Sequence, residues 1–116
     1  MSTRKKNSTN YLNEQKLTAS CPMTLAMNKI GGRWKMVMLY QISIGNNRYG
    51  SLQRAIPLIT EKMLTTQLRE LEADNLVDRL AYPEVPPRVE YNLTEEGRGL
   101  LPIMEQLTDW GAKINR

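Results

Sequence analysis

Residues 60–74 read TEKMLTTQLRELEAD, and everything on either side can be placed by reference to this run. Leu64, Leu68 and Leu71 recur at i, i+4 and i+7, so at about 100° per residue they stack on one helical face. The opposite face then presents Lys62, Thr66 and Arg69, with Thr65 to one side. Thr60 is suited to cap the helix, and Glu61 complements the positive end of its dipole. A helix pinned by leucines and offering short polar and basic groups near its N-terminus has what a major-groove reader needs. Alone, the pattern fits an ordinary amphipathic surface helix equally well, so the flanking segments decide.

Upstream, residues 1–10 are polar, rich in Ser, Thr and Asn, and predict a disordered basic tail. Tyr11 to Ala19 is short and weakly amphipathic. Cys21-Pro22 opens a helix through Leu25, Ala26 and Ile30, since Pro suits a first turn, and Gly31-Gly32 stops it. A second helix from Arg33 or Trp34 to Ile44 is apolar on nearly every side, which predicts a central, buried element. Gly45-Asn46-Asn47 ends it. Arg48-Tyr49 is expected to form a short strand, and Ser51 to Ile56 a short third helix closed by Pro57.

Downstream, Val77 to Tyr82 and Val89 to Leu93 read as a hairpin, the second strand alternating Val89, Tyr91, Leu93 against Glu90 and Asn92. The connection Pro83-Glu84-Val85-Pro86-Pro87 is stiff and cannot pair as a strand. Thr94 is placed to cap one last helix, with Glu95 and Glu96 at its positive end. Leu100, Ile103, Met104, Leu107, Trp110 and Ile114 form a long apolar stripe along it. Four helices, a hairpin and a helix give the fold class: mainly α with a small β-hairpin, a winged helix-turn-helix occupying residues 11–116 and dimerising through its terminal helices.

Composition narrows the function. At 116 residues, 41% hydrophobic and 24% charged, the chain suits one domain with its own core. Apolar runs such as Met36 to Tyr40 are far too short for a membrane span, and no apolar region follows the basic Arg4 to Lys6, so a cytoplasmic location without membrane contact is expected. There is one cysteine and no histidine, which leaves no ligand set for a structural zinc and no imidazole base. The carboxylates Glu70, Glu72 and Asp74 lie on a solvent-facing stretch, and no Gly-rich phosphate loop follows a strand, so neither an enzyme nor a cofactor site is expected. The net charge of +4 is unevenly spread: residues 1–16 carry +3, residues 17–62 carry +5 and residues 63–116 carry −4. A polyanion would meet mainly the first half.

The candidate DNA-contacting residues are therefore Thr60, Lys62, Thr65, Thr66 and Arg69 on the fourth helix, with Arg33 and Lys35 at the start of the second as phosphate contacts. Arg48 is a further backbone contact, while its neighbour Tyr49 is as readily a packing residue. Arg88 is expected where a wing meets the minor groove or adjacent phosphates, although a solvated hairpin arginine would look the same. The last helix is longer than so small a domain needs for its own packing, which favours a partner helix through Leu107, Trp110 and Ile114, joined by Tyr11 and Leu12.

Several separated stretches also resemble one family in the same order. They are Cys21-Pro22, the turn Gly31-Gly32-Arg33-Trp34-Lys35, LTTQLRELEADNLV over residues 64–77, YPEVPPRVEY over residues 82–91, Leu93-Thr94-Glu95-Glu96-Gly97 and Asp109-Trp110-Gly111. Together they span roughly residues 20–112 and look like the HxlR-type regulators, relatives of the MarR group. The resemblance implies a winged helix-turn-helix homodimer on double-stranded DNA, joined through its terminal helices, with an operator bearing inverted repeats. Asn75 departs from the pattern, standing where Gly is common, but Asn tolerates the left-handed conformation of a helix C-cap.

Several regulators of this type that sense quinones, aldehydes or oxidants use a cysteine at the position matching Cys21. A thiol at a helix N-terminus has its thiolate favoured by the dipole, which raises its reactivity. The same residue could equally be a small packing group near a dimer contact. With one cysteine per chain, any disulfide must join two subunits or take up a small thiol. A protein-interaction winged helix without a DNA role stands as the alternative from a different class.

Overall fold

A computed structural model describes residues 21–115. The chain divides into two compact units, one ending at Gly32 and one beginning at Arg33. The expected tail over residues 1–10, the stretch from Tyr11 to Ala19, and the interface residues Tyr11 and Leu12 lie outside the described residues.

In the first unit, α1 spans Pro22–Ile30, with Cys21 at the N-cap in an extended conformation and Pro at the start, as expected. The Gly31 N–H closes the last turn onto the Met27 carbonyl, 2.7 Å away. Gly32 then adopts φ +89°, a conformation that glycine reaches without a Cβ clash.

The second unit holds α2 (Lys35–Ser43), α3 (Tyr49–Ala55), α4 (Glu61–Ala73), β1 (Val77–Tyr82), β2 (Arg88–Leu93), α5 (Glu95–Arg98) and α6 (Leu101–Ile114). Its core is Met38, Leu39 and Ile42 of α2, Leu52 of α3, Ile56 and Ile59 of the next turn, and Leu64, Leu68 and Leu71 of α4. Leu76, Val77, Tyr91 and Met104 close it from the hairpin and α6. Each fully buried leucine contributes about 1.5–3 kcal/mol through the apolar surface it removes from water.

The α4 helix begins as its sequence predicts. The Thr60 Oγ1 accepts the Met63 N–H at 3.1 Å. At its other end, Asn75 has φ +60°. The Leu76 N–H then reaches the Leu71 carbonyl and the Asn75 N–H the Glu72 carbonyl, the two bonds of a Schellman motif. The chain thereby turns straight into β1.

The hairpin is antiparallel and pairs Val77 with Leu93 through Tyr82 with Arg88. Its base is locked by Thr94, whose hydroxyl donates to the Asn75 carbonyl at 2.7 Å and accepts the Gly97 N–H at 2.9 Å. Gly97 is required there, because a Cβ would collide with the Leu76 carbonyl oxygen.

Three expectations are corrected. Arg48-Tyr49 is not a strand: Arg48 is the N-cap of α3 and Tyr49 its first residue. One backbone bond joins the preceding residue to the hairpin, the Tyr91 N–H donating to the Asn47 carbonyl at 2.8 Å. The last helix is not continuous, since α5 ends at Arg98 with Gly99 as its C-cap and α6 restarts with Pro near its first turn. The α2 helix is not buried all round: Lys35, Met38, Leu39 and Ile42 face the core, whereas Val37, Tyr40 and Ile44 are exposed.

Candidate nucleic-acid interface

With Leu64, Leu68 and Leu71 buried, the helical period turns Lys62, Thr66 and Arg69 out to solvent, and all three are exposed. Thr65 is half-buried at the edge of this face. Its Oγ1 lies 3.2 Å from the Tyr49 hydroxyl. That hydroxyl also donates to the Glu61 carbonyl at 3.1 Å, so Tyr49 straps α3 to the first turn of α4. Thr60, expected among the DNA contacts, is exposed but has its side-chain oxygen occupied by the helix cap.

The expected phosphate contacts divide. Arg33 is exposed, its guanidinium stacked 4.7 Å from the centroid of the Trp34 ring. Lys35 is corrected: it is buried, and its Nζ lies 2.9 Å from the Glu70 Oε1. Its charge is neutralised within the fold, between the start of α2 and the last turns of α4. Sequence alone does not reveal this, because Glu70 reads as one of several solvent-facing carboxylates.

Arg88 opens β2 beside the proline-rich connection, in the outermost pair of the ladder with Tyr82. Its guanidinium stacks 3.9 Å from the Tyr82 ring centroid and donates to Glu84 and Glu90, each at 3.1 Å. Its Nε is buried without a hydrogen-bond partner. Glu90 also receives the Arg48 guanidinium at 3.4 Å, which ties the N-cap of α3 to the wing. Arg88 thus stiffens the wing through a closed ion network. The period-two pattern of β2 could have shown Arg88 and Glu90 on one face, but the approach of Arg48 needs the fold.

Between α4 and the hairpin lies a cleft of about 480 Å³, lined by Thr65, Arg69 and Glu72 of α4 and by Arg79 and Tyr91 of the strands. Arg79 was not singled out by the sequence.

In the first unit, Cys21 is exposed. Its side chain makes no cap hydrogen bond. The backbone N–H groups of Thr24 and Met23 nevertheless favour its thiolate, with the Thr24 side chain assisting, and hold the thiol below its usual range.

On α6 the apolar stripe is largely uncovered. Met104 is buried, whereas Ile103, Leu107, Trp110 and Ile114 are 45%, 49%, 60% and 63% exposed, too much for a stripe that merely caps its own core. Among the described residues, no helix is long and apolar enough to cross a membrane, and no three His, Cys, Asp or Glu gather as a metal site.

A strapped helix pair followed by a two-stranded wing, with the second helix turned polar side out, defines a winged helix-turn-helix transcription regulator. The chain belongs to the HxlR-like helix-turn-helix family, whose model matches residues 29–116. An uncharacterised HTH-type transcriptional regulator of Methanothermobacter thermautotrophicus is 50% identical over 91 residues, 78% of this chain and 70% of that protein. The HTH-type regulator YtcD of Bacillus subtilis is 48% identical over 106 residues, 90% of this chain and 82% of that protein. Among solved structures, the redox regulator HypR in its oxidised form superposes with a TM-score of 0.78 at 49% identity, covering 83% of this chain and 98% of that one.

Proposed function

We propose that this regulator acts as a homodimer that places α4 in the major groove of double-stranded DNA at an inverted-repeat operator. The observation that carries the reading is the exposed face Lys62, Thr66 and Arg69, held outward by three buried leucines beside a braced wing. Arg33 serves the flanking phosphates, as does Arg48, whose side chain stays 54% exposed beside Glu90, and Thr65 lies at the rim of the reading face. Lys35 and Arg88 act within the fold. Two copies joined through Leu107, Trp110 and Ile114 would present two reading helices to two half-sites, which is what an inverted repeat requires. No catalytic role or cofactor is assigned, and the protein works in the cytoplasm, where its DNA lies.

Cys21 makes the regulator responsive to oxidants or electrophiles. Its exposure and lowered pKa support this, as does the similarity to the redox regulator HypR. Modification of the thiol would alter the dimer and release DNA.

The test is a binding titration with a duplex taken from upstream of the protein's own gene, against a shuffled duplex of equal length. Lys62→Ala and Thr66→Ala are expected to weaken the former by about 1–3 kcal/mol each and to narrow the difference between the two. A protein-interaction module would show no steep loss of duplex binding as salt rises. For Cys21, diamide or quinone treatment, with modification confirmed by mass, is expected to lower affinity; unchanged affinity removes the sensing role.

A further inference from the structure

The two arginines of the hairpin lie on opposite faces. Arg79 pairs with Tyr91 across the ladder and shares the parity of Val77, whereas Arg88 pairs with Tyr82 and shares the parity of Glu90. Arg88 is held by two carboxylates and a ring. Arg79 is exposed and, among the described residues, neither it nor Arg69 has an ion-pair partner. Both line the cleft between α4 and the hairpin, beside the Thr65 hydroxyl. Glu72 lines it too, leaving one net positive charge.

We infer that this cleft seats a backbone phosphate of bound double-stranded DNA, gripped by Arg79 from the wing and Arg69 from α4. The inference rests on the DNA-binding reading above and extends it to a residue outside the expected set. A duplex entered by α4 and straddled by the wing must carry its backbone past the junction of the two. That junction is where this cleft of about 480 Å³ opens, with two unpaired guanidinium groups as donors. Guanidinium groups suit phosphate oxygens because their planar donors bind two at once. The ion network on the far face has a complementary role: it keeps the wing rigid while leaving Arg79 as its unpaired cation.

The experiment measures full-length protein on both duplexes, upstream and shuffled, across a series of potassium chloride concentrations. Arg79→Ala is expected to weaken both duplexes by the same factor and to lower the slope of log affinity against log salt by about one per protomer. Arg79→Lys is expected to retain the slope, since it keeps the charge. Arg79→Gln serves as a second neutral variant, with circular dichroism confirming the fold of each. An unchanged slope in both neutral variants, while the parent binds steeply, overturns the phosphate seat alone. A loss confined to one duplex also overturns it, because that would be base reading. A parent protein binding neither duplex in a salt-dependent way overturns the DNA reading and the seat together.

Discussion

Lys35 and Glu70 form an ion pair at 2.9 Å between the first residue of α2 and the last turns of α4. The lysine side chain is 10% exposed and the glutamate 48%, so the pair is half open to water. Its benefit is accordingly modest, but its loss is asymmetric. Glu70→Gln leaves a mostly buried ammonium without a counter-charge, whereas Lys35→Met removes the charge and keeps the stem. Glu70→Gln is expected to cost about 1–2 kcal/mol more than Lys35→Met in urea unfolding. Equal costs would mean that the pair does not tether the two helices.

The wing network makes a second prediction. Arg88 and Arg48 converge on Glu90, whose side chain is 17% exposed, and Tyr82 covers one face of the Arg88 guanidinium. Arg88→Ala and Glu90→Ala are each expected to speed amide exchange in β1 and β2 about fivefold, equivalent to about 1 kcal/mol of local stability. Weakened DNA binding with unchanged exchange would return Arg88 to the role the sequence alone suggested.

The uncovered stripe of α6 makes a third. Leu107 borders an apolar groove of about 250 Å³ with Met36, Val37 and Tyr40 of α2, and Trp110 follows nearly one turn on. Placing a carboxylate there would oppose burial against a second copy. Leu107→Asp is expected to halve the mass measured by analytical ultracentrifugation and leave the helix content intact. A dimer that persists would locate the interface elsewhere.

Cys21 makes the fourth. The Thr24 and Met23 N–H groups favour its thiolate, so the thiol ionises at lower pH in the folded chain than in the unfolded one. Iodoacetamide alkylation should therefore stay fast down to a lower pH in the native protein than in urea, falling as the thiolate is protonated. The matching stability contribution is present above the unfolded pKa and fades as pH drops through the folded one. Coincident pH profiles would remove the helix-terminus effect.

Much of this molecule is local physics and could be read directly. The leucine period of residues 64–71, the Thr60 and Thr94 caps and the left-handed Asn75 need only neighbours along the chain. The hairpin follows likewise from two strand-like runs, the second of them alternating, on either side of a proline-rich turn. Those features set the winged helix-turn-helix and the outward face of Lys62, Thr66 and Arg69, because helical and strand periods decide which side chains share a face.

What chain neighbours could not decide was the fate of Lys35, Arg48 and Arg79. A cation on a helix or strand is free or neutralised according to what distant segments bring beside it. Glu70 comes to Lys35 from 35 residues away in sequence, and Glu90 to Arg48 from 42. The same packing leaves Arg79 open on the face where Tyr91 and Arg69 converge. Coulomb attraction acts over a few ångströms of space rather than of sequence, so only the tertiary fold could separate Lys35, which Glu70 neutralises, from Arg79, which is left to meet a polyanion.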